Sequence, residues 1–237
     1  MRRGLSSGGQ TGGLSAVFGH LQRKGEHIVT DSIIFDLDGT LWDSSEAVAA
    51  TWDRVFRAHG LPGVTTEDIR GIMGLTMDRI AARMMPHEPE ARRAAILQEC
   101  CKAENELLRR QGAKLYDGVK ETLAALMDRY RLFIVSNCQQ GYIEAFLEGH
   151  RLSRWFKDYE SFGRTGLGKA ENIALVVRRN GLRAPVYVGD TPWDAVAAED
   201  AGVPFLHARY GFGQVPDAVW HVDSFRDLPG VVAQVRA

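Results

Sequence analysis

The chain has 237 residues, enough for one medium domain with an insert or for two small domains. Its 29 lysines and arginines balance 30 aspartates and glutamates, so no electrostatic footprint for nucleic acid or an acidic membrane surface is present. At 45% hydrophobic residues the composition is that of a globular protein, and no window approaches the roughly 20 consecutive apolar residues of a bilayer span.

The first thirty residues begin with two arginines, are rich in Gly and Ser, and lack the apolar centre of a signal peptide. Residues 1–30 are expected to be a flexible extension. The stretch "SIIFD" (32–36) then reads as a short buried strand, and it runs directly into Asp36 and Asp38, which flank one leucine. From 44 to 112 no strand is expected. Val48, Trp52, Val55 and Phe56 fall on one helical face, and Ala94, Leu97, Cys101 and Leu108 suggest another farther on. This helical insert would form a cap at 44–112, with the core made of 31–43 and 113–237.

Beyond the insert, strand and helix alternate. Helical patterns at 119–130, 140–148, 169–180 and 192–201 separate the apolar runs "LFIVSN" (132–137), "PVYVGD" (185–190) and "VPFLHA" (203–208), and "KDYESFG" (157–163) is a weaker strand candidate. Strands that are apolar throughout and alternate with helices imply an α/β fold with a parallel sheet covered on both faces. Such sheets bind ligands beyond the carboxyl ends of their strands. At those ends lie Asp36 and Asp38, Ser136 and Asn137, and Asp190, with Asp194 one turn into the next helix and Lys169 opening another.

Three or four carboxylates brought together need a divalent cation, a cationic side chain or a raised pKa, since each like-charge pair at 4 Å costs roughly 4 kcal/mol at an effective dielectric of about 20. Aspartate and carbonyl oxygens suit Mg²⁺, which takes substrate phosphate as a further ligand. Lys169 supplies a second positive charge for a phosphate oxygen. The N–H groups around Gly39 and the Ser136 hydroxyl, with Asn137 beside it, are candidates for the other oxygens. These residues make a phosphoryl-transfer site in which Asp36 attacks phosphorus and Asp38 protonates the leaving oxygen, then takes a proton from water.

"FDLDGTLWDS", "IVSN", Lys169 and "GDTPWD" resemble, in order, the four motifs of the haloacid dehalogenase superfamily. "YDGV" (116–119) and "AAEDAGVPFLHARYGFG" (197–213) resemble its phosphoglycolate-phosphatase-like members. The resemblance implies a Rossmann-like core, a helical cap of the first kind, an aspartyl-phosphate intermediate and Mg²⁺. It implies metal contacts from the side chains of Asp36 and Asp190 and from the main-chain carbonyl of Asp38. "KAEN" departs from the proline that relatives often carry after the lysine, which bears on local loop geometry.

Several residues also have structural readings. Asp194 fits the third helical position behind a Thr191 N-cap and Pro192, where it would support the helix start while assisting the site. Asp43 is expected to cap the first cap helix, and Cys138 and the cap methionines to pack. The loop "GIMGLTMDR" (71–79) is a candidate to face the substrate. "GRTGLGKA" (163–170) fits a nucleotide-binding phosphate loop up to Ala170, where Ser or Thr is needed, so a P-loop-type protein is one alternative function. A phosphomutase using the same carboxylates is the other. The expected partner is a small phosphorylated metabolite, with no nucleic acid and no membrane, and the oligomeric state is not legible. Cys100, Cys101 and Cys138 form no C-x-x-C pair, consistent with reduced thiols in the cytoplasm.

Overall fold

The computed structural model describes residues 29–235, so the expected extension lies outside the described residues except for its last two. Of these, Thr30 is buried and its hydroxyl donates to the Val235 carbonyl. Strand β1 (Ser32–Phe35) leads to a two-residue strand β2 (Trp42–Asp43), and the helices α1 (Ser45–Ala58), α2 (Thr66–Arg70), α3 (Met77–Met84) and α4 (Glu90–Gln111) follow. The chain returns through β3 (Lys114–Leu115), which pairs antiparallel with β2 and forms the neck of the helical insert. Then come α5 (Val119–Met127), β4 (Arg131–Ser136), α6 (Tyr142–His150), β5 (Phe156–Ser161), α7 (Phe162–Thr165) and α8 (Lys169–Asn180). The chain ends with β6 (Pro185–Gly189), α9 (Pro192–Asp200), β7 (Phe205–Ala208), β8 (Trp220–Val222) and α10 (Leu228–Val232).

Six strands form one parallel sheet in the order β5-β4-β1-β6-β7-β8, the Rossmann-like arrangement expected. The central strands are apolar throughout because both faces are covered. Ile33 and Phe35 of β1 join one hydrophobic layer with Leu132, Ile134, Val186 and Val188, while Ile34 joins the other with Phe133, Val135 and Tyr187. Helices α5, α6 and α10 cover the first layer, and α8 and α9 cover the second. The first layer runs without a break into the insert, where α4 packs on α6 and the buried face of α1 carries Val48, Trp52, Val55 and Phe56 as their spacing predicts. Among the described residues no helix is long and apolar enough to cross a membrane.

Several expectations need correction. The helix expected at 119–130 ends at Met127, and the strand expected from 203 starts at Phe205. In α4, Leu97 and Leu108 are buried as expected, but Ala94 is exposed and Cys101 only half-buried. The fully buried stripe runs through Ile96, Cys100, Glu104 and Leu108, at intervals of four, and a carboxylic acid occupies one of its positions. The weak candidate at 157–163 is a true strand, Phe156–Ser161, at the sheet edge, and its interrupted burial explains the faint pattern.

Candidate active site

Because the strands are parallel, the residues after β1, β4 and β6 emerge on one edge. The Asp36 N–H still donates to the Val188 carbonyl, 2.8 Å away, so Asp36 is held at the end of the ladder. The chain then turns sharply, with the N–H groups of Thr40 and Leu41 both donating to the Leu37 carbonyl. Gly39 has φ +82°, and a Cβ there would collide with the Asp190 carboxylate. Gly211 closes on Asp190 from the other side, where a Cβ would meet the Asp190 side chain and the Gly39 carbonyl. The Gly39 N–H donates to the Trp42 carbonyl at 2.9 Å, so this glycine contributes room for Asp190 rather than a spare donor, contrary to expectation. Asp190 Oδ2 accepts from the Phe212 N–H at 2.8 Å, and the Thr40 hydroxyl lies 3.4 Å from Oδ1.

Lys169 opens α8 and is almost fully buried. Its Nζ lies 3.0 Å from Asp36 Oδ1 and 2.5 Å from Asp194 Oδ1. Asp194 serves two ends. Its Oδ1 takes the ammonium, while its Oδ2 accepts from the Thr191 N–H (2.9 Å) and hydroxyl (2.6 Å) in a capping box that starts α9. Helix capping and site support therefore meet in one side chain.

Asp36, Asp190 and Asp194 each bring a carboxylate oxygen within 4.8 Å of the others. Three carboxylates against the single Lys169 ammonium leave two negative charges in excess. Burial pushes the Asp36 carboxyl up although Lys169 pulls it back, and burial together with the neighbouring carboxylates drives Asp190 well up. Asp194 is also penalised by burial, but Lys169 and Thr191 outweigh it and hold the carboxyl below its usual value. The donor set is all oxygen and the uncompensated charge is that of one divalent cation, so these residues fit Mg²⁺.

Asp38 faces the helical insert. Its Oδ1 accepts from the Ser44 hydroxyl at 2.6 Å and the Tyr142 hydroxyl at 3.0 Å, and these two hydroxyls are 2.8 Å apart. Burial raises its carboxyl to about 6 against the pull of those donors. Ser136 is buried at the end of β4 and lines a chamber between sheet edge and insert, with Asp36 and Asp38 on the same floor. The Asn137 amide donates to the Gly74 carbonyl at 2.9 Å, so it ties the sheet edge to the loop at 71–79. Ile72, Met73, Gly74 and Leu75 of that loop line the chamber, as does Met77 at the start of α3. Asp43, one residue before the Ser44 N-cap of α1, accepts from the Ser45 N–H at 3.0 Å and also from Arg70 at 3.0 Å, so it supports the helix start without being its cap. Cys138 is a buried packing residue.

Tyr142 and Glu104 were not singled out from sequence. Only tertiary closure brings Tyr142 to Asp38. Glu104 did leave a trace, an acid four residues after Cys100 and four before Leu108 on a buried helical face. The lysine of "GRTGLGKA" is committed to Asp36 and Asp194 rather than to a cradle of its own loop.

The family model for haloacid dehalogenase-like hydrolases matches residues 33–208. The phosphoglycolate phosphatase of Photobacterium profundum is 32% identical over 219 residues, covering 84% of this chain and 94% of that protein. That of Vibrio parahaemolyticus is 29% identical over 221 residues, covering 85% and 95%. Among solved structures, a haloacid dehalogenase-like family hydrolase from Streptococcus pneumoniae superposes with a TM-score of 0.74 at 21% identity, over 85% of this chain and 97% of that one, which shows the shared fold. With the motif residues gathered at one sheet edge, the chain belongs to the haloacid dehalogenase-like hydrolase family and is a phosphoric monoester hydrolase similar to phosphoglycolate phosphatases.

Proposed function

We propose that the chain hydrolyses a small phosphomonoester through a phosphoryl group carried on Asp36, with Asp38 as acid and base, at a site that holds Mg²⁺. The separate tethering of the two aspartates carries this reading. Asp36 lies in the buried cluster with Lys169, while Asp38, two residues on, is held by Ser44 and Tyr142 against the chamber. In this reading one group attacks and the other meets the leaving oxygen.

In the first step an Asp36 oxygen attacks phosphorus, the bond to the leaving alcohol breaks, and that oxygen takes a proton from Asp38. In the second, Asp38 accepts a proton from water as the water attacks phosphorus, which frees inorganic phosphate and restores both carboxyls. Both tethers fall on Asp38 Oδ1, so the travelling proton belongs on Oδ2. Lys169 holds Asp36 in place and offers charge to a phosphate oxygen, and the Ser136 hydroxyl offers a hydrogen bond. The side chains of Asp36 and Asp190 and the carbonyl of Asp38 would hold the metal, whose chemistry is to neutralise charge on the phosphoryl oxygens. Three free cysteines are in keeping with a reducing compartment, and we place the protein in the cytoplasm.

Phosphate release from p-nitrophenyl phosphate tests the reading. Turnover with Mg²⁺ that stops on chelation is expected; turnover unaffected by chelation would refute the metal assignment. Phosphoglycolate is the first physiological compound to try, since the relatives bear its name.

A further inference from the structure

The chamber beside Asp38 is built for a particular kind of leaving group, and the inference about it rests on the phosphatase reading above. Its free space is small, about 50 Å³. Trp52, Ile72, Met73 and Met77 make its walls largely apolar. Its charged lining groups are Asp36 and Asp38, which belong to the chemistry, and Glu104 of α4, which does not. Among the described residues, no lysine, arginine or histidine lines it. Arg79 lines a separate groove outside, with Asn137 and Lys169, and Arg70 is bound to Asp43 and Ser45.

Glu104 is 2% exposed. Its Oε2 accepts from the Trp52 indole N–H and its Oε1 from the Gln139 amide. Two of the chamber's donors, the Trp52 N–H and the Gln139 amide, are thus turned onto a side chain that is itself acidic. A carboxylate has about four acceptor positions, so two donors leave about half of them for a ligand. A substrate carboxylate brought here would lose its water and keep company with Asp38. An ammonium group would instead drive the proton off Glu104, which burial leaves protonated, and pair with the carboxylate so formed. A hydroxyl or ammonium group would find an acceptor already fixed in place.

We propose that Glu104 selects the substrate: a phosphomonoester of a small alcohol whose far end carries a hydroxyl or ammonium donor and no carboxylate. Phosphoglycolate, a carboxylate, is the compound this chamber disfavours, although the similar phosphatases are named for it. Glu104 acts on leaving-group choice and takes no part in phosphoryl transfer.

Steady-state hydrolysis of four compounds of similar size tests this: glycerol 3-phosphate, phosphoethanolamine, n-propyl phosphate and phosphoglycolate, each with Mg²⁺ and wild-type enzyme. At least one donor-bearing compound should exceed phosphoglycolate in kcat/KM by about tenfold or more. Glu104→Gln should shrink the advantage of phosphoethanolamine over propyl phosphate by about tenfold, mainly through KM, with thermal melting used to check folding. Phosphoglycolate ranking first in the wild type would overturn the proposal, and so would a phosphoethanolamine-to-propyl ratio unchanged in a folded Glu104→Gln. Release of phosphate from none of the four would instead defeat the phosphatase reading beneath it.

Discussion

Replacing Glu104 with glutamine removes a titrating group from the interior while keeping an oxygen for the Trp52 N–H and leaving the Gln139 amide free to turn over and pair again. Burial raises the Glu104 carboxyl from 4.5 to about 8, against the pull of Trp52 and with a further push from the Asp38 charge. Between those values the folded chain holds a proton that the unfolded chain has lost. Unfolding then releases protons, so the stability of the wild type falls as pH rises from about 4.5 to about 8. The interval of roughly 3.5 units at ~1.4 kcal/mol each sets a ceiling of about 5 kcal/mol, and water entering the chamber reduces the expected effect to about 2–3 kcal/mol. Urea unfolding of both proteins at pH 5, 7 and 9 measures this, because every titrating group not coupled to Glu104 cancels in the difference. Glu104→Gln should match the wild type near pH 5 and exceed it in stability by about 2–3 kcal/mol at pH 9. A difference that stays flat across this range would refute the account of a desolvated, weakly compensated acid.

Three further changes probe the site. Lys169→Met leaves Asp36 and Asp194 buried without their cation, and should cost about 3–5 kcal/mol in stability along with nearly all turnover, read by melting and phosphate release. Tyr142→Phe removes a donor that lowers the Asp38 carboxyl, so that group should rise above about 6 and the alkaline limb of kcat should move to higher pH. Asn137→Ala cuts the link to the Gly74 carbonyl, and should raise KM several-fold with a smaller change in kcat if that link holds the 71–79 loop over the chamber.

Where a residue's role followed from its own neighbours in the chain, the sequence revealed it. The central strands around Ile34, Phe133 and Tyr187 are buried on both faces and so appear as uninterrupted apolar runs, and Asp36, Ser136 and Asp190 follow from where those runs stop. The Asp194 capping box was legible because Thr191, Pro192 and Asp194 lie within one turn. What escaped depends on closure of the chain. Tyr142 reaches Asp38 across 104 residues, and Glu104 reaches Gln139 across 35. The N–H groups around Gly39 were expected to face a phosphate, but the turn folds that of Gly39 itself onto the Trp42 carbonyl. Edge strand β8 has only three residues, Trp220–Val222, too few for a period-two pattern to register.

The covalent role of Asp36 is the claim on which the mechanism turns, and the most direct measurement is the mass of the Asp36 peptide after rapid acid quench of enzyme turning over substrate with Mg²⁺. The account predicts one added phosphoryl group on that peptide in the wild type, and none, with turnover lost, in Asp36→Asn. An Asp36→Asn enzyme that released phosphate at the wild-type rate would contradict it.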